Sequence, residues 1–85
     1  MDQKNKLWWT YIIKCSDGSL YTGITTDLKR RVAEHNSSIK GANYTKTRRP
    51  VKLVYKESYS DRSSSSKRES AIKKLTRKDK LNLIG

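Results

Sequence analysis

The chain has little of what extracellular and membrane proteins depend on. It contains a single cysteine, Cys15, so no intrachain disulfide can form. No apolar run approaches the length that crosses a bilayer, and the polar stretch from Met1 to Lys6 does not resemble a secretory signal. We therefore expect a reducing compartment, with the cytoplasm as the default location. In that setting Cys15 is expected to be a small core residue rather than a nucleophile.

Large apolar side chains are also scarce. Phenylalanine is absent and hydrophobic residues make up 33% of the 85 positions, so the five tyrosines and two tryptophans must help to fill the core. This length predicts one small domain over residues 1–85. The sequence contains no internal repeat, and its serine run is too short to count as a low-complexity segment.

Acidic residues are few: 8 Asp and Glu stand against 20 Lys and Arg, for a net charge of +12. Such an excess on a short chain favours binding to a polyanion, because neutralised phosphates release their condensed counterions. Nucleic acid is the predicted partner. A membrane surface is not predicted as a partner, because binding to it would require a basic amphipathic helix with a broad apolar face, which the sequence lacks.

A hairpin is predicted near the start of the chain, and its turn type decides where two tyrosines point. A two-residue Asp17-Gly18 turn would place Tyr11 and Tyr21 on opposite faces, because side chains alternate along a strand. A three-residue Ser16-Asp17-Gly18 loop with a left-handed glycine would pair Tyr11 with Gly23 and place both tyrosines on one face. Both turns remain open from the residues alone.

The rest of the chain alternates between helical and strand-like segments. The order strand, strand, helix, strand, helix, helix predicts an α/β protein of the α+β type, with a small three-stranded sheet, an antiparallel hairpin and flanking helices. The predicted strands are Leu7 to Cys15, Leu20 to Ile24 and Val51 to Tyr55, and the predicted helices are Leu28 to Asn36, Asp61 to Leu75 and a short one capped by Thr76 and ending at Ile84.

The first predicted helix carries two candidate functional residues. Arg31 and His35 are four positions apart, on the same side as the apolar anchors Leu28 and Val32, so they should project from the core-facing edge. A guanidinium is suited to phosphate oxygens, and an imidazole can donate to phosphate or carry a proton. The polar loop from Ser37 to Arg49 that follows is longer than usual, which favours a binding loop or disorder.

The order of these motifs resembles the GIY-YIG endonuclease superfamily, and the resemblance runs from Trp9 to Leu81. Its small stand-alone branch is similar over Leu20 to Asp27 and Arg48 to Tyr55. The residues that carry the resemblance are Thr10-Tyr11-Ile12, Tyr21-Thr22-Gly23, Arg31, His35 and Arg68-Glu69. Thr10 replaces a glycine of the first motif and Thr22 an aliphatic residue of the second. The usual C-terminal asparagine has no match at family spacing, and Asn82 is the nearest candidate.

The resemblance implies a metal-dependent endonuclease that hydrolyses phosphodiester bonds, with DNA favoured over RNA and repair or recombination as its setting. It implies Tyr11 as base, Tyr21 as its relay or positioner, catalytic roles for Arg31 and His35, and Glu69 as ligand of Mg²⁺ or Mn²⁺. A lone carboxylate suits Mg²⁺, which keeps several waters and takes oxygens from substrate phosphate. No His/Cys cluster suggests zinc. Whether a larger repair complex is involved stays open.

Each of these residues also has a simpler interpretation. Two strand tyrosines are ordinarily packing residues, and a phenol with a pKa of about 10 is a poor base at neutral pH. Glu69 completes a capping box with Ser66, unless Asp61 is the true cap and Glu69 lies mid-helix. Arg31 could be a solvated helix charge and His35 a satisfied helix-end residue.

The remaining cations predict contacts to the nucleic-acid backbone that carry no sequence information. The predicted backbone-binding residues are Lys46, Arg48, Arg49, Arg68 and Lys73. Trp8 and Trp9 could stack bases, although adjacent strand residues point oppositely, so we expect one in the core and one partly exposed. Two other functions stay open: a nucleic-acid binding module with little or no catalysis, and an RNA- or ribosome-associated accessory protein.

Overall fold

The computed structural model describes residues 6–37 and 40–85. Residues 1–5 of the polar N-terminal stretch, and residues 38 and 39 of the predicted loop, lie outside that description. Within it the elements are β1 (Trp8–Lys14), β2 (Leu20–Thr25), α1 (Leu28–Ser37), α2 (Asn43–Lys46), β3 (Lys52–Tyr59), α3 (Arg62–Lys73) and α4 (Arg77–Ile84). This confirms the predicted three-stranded sheet with flanking helices. None of the helices in the described ranges is long and apolar enough to cross a membrane.

The central strand of the sheet is β1. The strand order is β2-β1-β3, and β1 runs antiparallel to both neighbours. Because helices cover both faces of β1, the four residues from Thr10 to Ile13 are all buried, on whichever face they point. The strands β2 and β3 form the two edges, and the candidate site develops at the β2 edge.

The hairpin closes through the three-residue loop, which confirms one of the two predicted turns. The amide of Cys15 donates to the carbonyl of Ser19 at 2.9 Å, and Gly18 adopts a φ of +86°. That φ lies in the left-handed region, which glycine enters without steric cost. The resulting register pairs Tyr11 with Gly23, so Tyr11 and Tyr21 share one face of the sheet.

That face packs against α1. Its core is a small cluster that consists of Tyr11, Ile13, Cys15 and Val51. Leu28 and Val32 of α1 pack on this cluster, as the spacing predicted, and Cys15 is a buried core residue. The helix begins after Asp27, whose carboxylate accepts from the amide of Arg30 at 3.0 Å. This cap fixes where α1 starts and therefore which of its residues face the sheet.

The opposite face carries α3, and Thr10 docks that helix on the sheet. The buried Thr10 hydroxyl donates to the carbonyl of Ser65 at 2.8 Å. Since that uses the only hydroxyl hydrogen of Thr10, the Ser65 hydroxyl donates back to Thr10 Oγ1 at 2.7 Å. The residue that replaces the motif glycine therefore ties β1 to the helix that carries Glu69.

Removing this hydroxyl should loosen the docking of α3. We expect Thr10→Val to lower the free energy of unfolding by about 1–3 kcal/mol, because the shape is kept while the buried Ser65 hydroxyl loses its partner. Urea denaturation followed by circular dichroism measures the change. Thr47→Val, at an exposed position, is the matched control and should stay within about 0.5 kcal/mol of wild type. Equal stability of both variants would contradict the docking role.

The start of α3 decides between the two interpretations of Glu69. Asp61 is the N-cap, and its carboxylate accepts from the amide of Ser64 at 2.7 Å. The Ser66 capping box does not form, because Ser66 lies inside the helix and Glu69 is two turns from its start. Thr76 caps α4 through the amide of Asp79 at 3.1 Å, as predicted.

Two segments differ from the sequence prediction. The polar loop contains the short helix α2, and β3 continues past Tyr55 to Tyr59. The extension places the Glu57 carboxylate on the α3 face, where Arg68 binds it in a fork at 2.9 and 3.1 Å. Tyr55 and Tyr59 also donate to Glu57. Four donors satisfy the carboxylate, which explains why a charged residue is tolerated on this half-buried strand.

Candidate active site

The phenol of Tyr11 reaches the β2 edge by lying across Gly23. A Cβ atom at Gly23 would stand 2.5 Å from Tyr11 Oη and 2.8 Å from its Cζ. No side chain fits at that distance, so a glycine is required directly opposite Tyr11. Gly23 of the second motif thus leaves the space that the Tyr11 ring of the first motif occupies.

The phenol meets His35, the only residue of α1 that is fully buried. Tyr11 Oη lies 2.9 Å from His35 Nε2, and His35 Nδ1 lies 2.9 Å from the hydroxyl of Thr45 in α2. Both ring nitrogens are therefore engaged. A neutral imidazole has one N–H and one lone pair, so this arrangement satisfies it completely without an added proton.

Burial and charge hold both members of the pair neutral. Burial lowers the pKa of His35 from 6.5 to about 4, with help from the positive charges of Arg31 and Arg49 and against the opposing effect of Glu34. Burial likewise raises the pKa of Tyr11 from 10.0 to about 12, although nearby Arg31 acts in the opposite direction. At neutral pH the site therefore holds a phenol and an imidazole rather than a phenolate and an imidazolium.

Arg31 is fixed beside this pair with its guanidinium partly exposed. Its Nη1 donates to Glu34 Oε1 at 3.0 Å and to the carbonyl of Lys40 at 2.8 Å. About a quarter of the side chain, 24%, is accessible to solvent. Arg31 is therefore not an unrestrained surface charge, because two acceptors orient its planar fork next to Tyr11.

Glu69 approaches from α3, on the other face of the sheet. It shares a helix face with Ser65 and Ile72, both buried against the sheet, and its charge lies close enough to raise the pKa of Tyr11. Its Oε2 is 3.1 Å from Lys73 Nζ. The helix reaches the site because Tyr11 leans across Gly23 to the edge strand that α3 also contacts.

The single carboxylate of Glu69 fits an ion such as Mg²⁺, which keeps part of its water shell. It does not fit an ion whose ligands all come from protein side chains. In residues 6–37 and 40–85 no group of three or more His, Cys, Asp or Glu side chains converges on a point. A single partly exposed carboxylate, with 20% of its side chain accessible, suits a hard cation that retains waters and takes further oxygens from a substrate. Glu69 is the residue that would hold it.

A stack of side chains flanks the pair on the solvent side. The Tyr21 ring meets the His35 ring edge-on, with centroids 5.3 Å apart, and stacks on Tyr44 at 5.8 Å. Arg48 lies over the ring of Tyr44, 4.1 Å from its centroid, and binds Asp17 of the hairpin loop at 3.1 Å. The stack fixes α2 against the hairpin, a role that no local sequence pattern indicated for Tyr44 or Asp17, and the contact of Thr45 with His35 was likewise not indicated.

The five residues of the predicted backbone-binding set do not lie together. Lys46 follows Thr45 and is exposed, and Arg49 donates from Nε to the carbonyl of His35 at 2.6 Å. Arg48 belongs to the stack described above, and Lys73 pairs with Glu69. Arg68 is on the far flank of α3, occupied by Glu57. Arg48, Arg49 and Lys73 thus contact residues of the candidate site, Lys46 is exposed beside Thr45, and Arg68 lies apart.

We expected one of the two tryptophans in the core and the other partly exposed, and the first half of this expectation is wrong. Trp8 and Trp9 are both partly buried, so neither is a core residue. Arg62 lies over the ring of Trp8 at 5.7 Å, and Lys56 lies over that of Trp9 at 5.6 Å. Because β1 alternates, the two rings are on opposite faces, each partly covered by a cation.

The lowered pKa of His35 makes stability depend on pH. The unfolded chain binds a proton near the ordinary value of 6.5, whereas the folded chain binds it only near 4. Stability is therefore lost as the pH falls from about 6.5 towards 4, and we expect a loss of about 2–3 kcal/mol between about pH 7 and pH 4.5. Urea denaturation of wild type and His35→Asn at both values isolates this contribution, since the neighbours Tyr11, Arg31, Glu34 and Arg49 remain in both. Parallel losses in the two proteins would contradict it.

A tyrosine that lies across a glycine, an arginine and a histidine on one helix and a glutamate on another are the residues through which the sequence resembles the GIY-YIG endonucleases. Residues 7–82 match the GIY-YIG family, described as a GIY-YIG catalytic domain. The chain belongs to this family. Its nucleases act on nucleic acid and are generally dependent on divalent metal ions.

The chain is also similar to small proteins named UPF0213. A UPF0213 protein of Desulfotalea psychrophila is 60% identical over 77 residues, 91% of this chain and 70% of that protein. A UPF0213 protein of Staphylococcus epidermidis is 55% identical over 76 residues, 89% of this chain and 92% of that protein. The solution structure of the UPF0213 protein BH0048 from Bacillus halodurans is 40% identical with a TM-score of 0.59, and covers 92% of this chain and 82% of that chain.

Proposed function

We propose that this chain is a metal-dependent endonuclease that hydrolyses phosphodiester bonds in nucleic acid, with DNA as the favoured substrate. Repair- or recombination-type processing in the cytoplasm, with no membrane partner, is the setting that we propose. The observation that carries the proposal is the hydrogen bond of 2.9 Å between Tyr11 Oη and His35 Nε2, beside Arg31 and within reach of the charge of Glu69.

The Tyr11–His35 pair overcomes the weakness of a phenol as a base. A phenol with a pKa of about 12 is not ionised at neutral pH, so Tyr11 cannot act as a standing phenolate. We propose instead that Tyr11 accepts a proton from the attacking water as it passes its own proton to His35 Nε2. The water becomes the nucleophile, the tyrosine stays neutral, and the imidazole becomes charged.

A bound substrate would favour this transfer. In the free protein Arg31 and Arg49 oppose protonation of His35. A phosphodiester brings a negative charge beside Arg31, which offsets that repulsion and raises the affinity of the imidazole for a proton. The relay would therefore operate mainly when substrate is present, and the Arg31 fork would bind the phosphoryl oxygens on which charge develops.

Glu69 completes the proposed site as the holder of Mg²⁺ or Mn²⁺. Such an ion, when bound, stabilises negative charge on the phosphoryl and leaving oxygens. Lys73 Nζ lies 3.1 Å from the same carboxylate. Arg48 lies over Tyr44 and Arg49 binds the carbonyl of His35, so positive charge also lies near the position that we assign to the scissile phosphate.

One observation favours the alternative function, a binding module with little or no catalysis. Tyr11 is 1% exposed and His35 0%, so a water molecule has no open path to the phenol in the free protein. A buried pair of this kind would also serve as plain core. The binding module predicts tight, salt-sensitive binding that survives Glu69→Ala, with no cleavage in any metal.

A cleavage screen separates these functions. Labelled linear and branched DNA, and matched RNA, are incubated with the purified chain in Mg²⁺, in Mn²⁺ or in EDTA. The endonuclease proposal predicts metal-dependent nicks that disappear in Arg31→Ala, and it predicts more product from DNA than from RNA. Binding without nicks in either metal would establish the binding module, and RNA outcompeting DNA would favour the RNA-associated alternative. Nicks of equal yield in Arg31→Ala would reject this site as their source.

A further inference from the structure

Thr45 of α2 is fully buried and has its hydroxyl placed between two polar atoms. Thr45 Oγ1 lies 2.9 Å from the carbonyl of Ala42 and 2.9 Å from His35 Nδ1. A carbonyl oxygen can only accept a hydrogen bond. The single hydroxyl hydrogen of Thr45 is therefore directed to Ala42.

This leaves only a lone pair of Thr45 facing His35. The ring nitrogen Nδ1 must then be the donor, and it must carry the proton of the neutral imidazole. The other nitrogen, Nε2, is left with its lone pair directed at Tyr11 Oη, 2.9 Å away. The direction of the Tyr11–His35 hydrogen bond follows: the phenol donates and the imidazole accepts.

We propose that Thr45 is a positioning residue that holds His35 in the Nδ1–H tautomer and so keeps Nε2 available for the proton of Tyr11. The catalytic meaning of this role rests on the proposed function. The tautomer itself does not, because it follows from the two contacts of the threonine hydroxyl.

The surroundings of α2 prevent Thr45 from turning away. The neighbouring Tyr44 stacks on Tyr21 and lies under the guanidinium of Arg48, which also donates from Nη1 to the carbonyl of Tyr44 at 2.8 Å. A Cβ atom at Gly41 would lie 2.8 Å from a backbone oxygen of α1, so the segment before α2 runs directly against the helix of His35. These contacts hold α2, and with it Thr45, against α1.

Replacing Thr45 by valine keeps the shape but removes the acceptor. The Nδ1–H form would then bury an unsatisfied donor, which is unfavourable. The ring can avoid this by carrying its proton on Nε2 and donating to Tyr11 Oη. In that form Tyr11 has no acceptor on the imidazole, and the proposed relay is blocked although every proposed catalytic residue is present.

Nuclear magnetic resonance of the imidazole nitrogens tests the tautomer directly. His35 is the sole histidine of the chain, so its ring signals are unambiguous. Long-range ¹H–¹⁵N spectra at neutral pH should show a protonated Nδ1 and an unprotonated Nε2 in wild type and in Thr45→Ser, which keeps the hydroxyl. Thr45→Val should shift the proton to Nε2. Wild type with a protonated Nε2, or Thr45→Val with the tautomer unchanged, would overturn the proposal.

Kinetics provide the second readout. We expect Thr45→Val to lower kcat about 10- to 100-fold, the effect typical of residues that orient a functional histidine, with KM little changed. Thr45→Ser should recover most of the rate. Full activity in a Thr45→Val protein whose tautomer has shifted would reject the relay but leave the positioning role intact. Absence of cleavage in wild type would reject the proposed function, and the tautomer measurement would still decide the role of Thr45.

Discussion

Replacing Tyr11 by phenylalanine is expected to slow metal-dependent cleavage by about 10²- to 10⁴-fold, the range that a positioned general base contributes. The change removes only the hydroxyl, which is the group that links the attacking water to His35. The ring still lies across Gly23, and the core around Ile13 keeps its volume. Single-turnover cleavage rates under saturating protein measure the loss in the chemical step.

Tyr59→Phe is the matched control for this experiment. It removes a hydroxyl from a tyrosine of the same sheet, but on the α3 face, where the phenol donates to Glu57. Its cleavage rate should stay close to that of wild type. Comparable losses in the two variants would mean that the phenol of Tyr11 contributes to stability alone, and a wild-type rate in Tyr11→Phe would rule out the relay.

Replacing Glu69 by glutamine is expected to reduce cleavage by about 10²- to 10³-fold, because the carboxylate that would hold the metal becomes a neutral amide. The amide preserves the helix and its packing beside Ser65 and Ile72. Binding of nucleic acid without metal should be unchanged or slightly tighter, since a negative charge is lost near the predicted phosphate position. Rates measured against Mg²⁺ concentration should show a weaker metal dependence.

The same helix supplies the control for this second variant. Asp61→Asn also converts a carboxylate to an amide, and asparagine caps a helix about as well as aspartate. Its cleavage rate and metal dependence should match wild type. A Glu69→Gln protein that cleaves as well as Asp61→Asn would show that Glu69 holds no metal needed for the reaction.

The parts of the fold that sequence reasoning reached are those that follow from local rules. Gly18 in the hairpin loop, Asp61 as the cap of α3 and the Leu28–Val32 face of α1 are each determined by a few neighbouring residues. The register between Tyr11 and Gly23 follows from the loop length alone. The residues alone left that loop length open between two and three, so the structure was needed to place Tyr11 and Tyr21 on one face beside His35.

What could not be predicted depends on contacts between distant segments. The Thr45–His35 hydrogen bond joins two residues ten positions apart through a loop that has no periodic pattern, so nothing in the sequence marked Thr45. The contact of Arg68 with Glu57 depends on the extension of β3 past Tyr55, which its polar residues did not indicate. Thr10 looked like a departure from the motif, and only the packing of α3 shows the hydrogen bonds that it makes.

We propose that a neutral tyrosine–histidine pair in this chain activates water for phosphodiester hydrolysis. The most direct test is a single-turnover time course on labelled DNA in Mg²⁺, with EDTA added midway and with Tyr11→Phe run in parallel. The account predicts that wild type accumulates nicked product until the EDTA is added, and that Tyr11→Phe binds the same DNA but yields almost no product. Wild-type protein that binds the DNA without nicking it, or a Tyr11→Phe variant that nicks at the wild-type rate, would contradict the account.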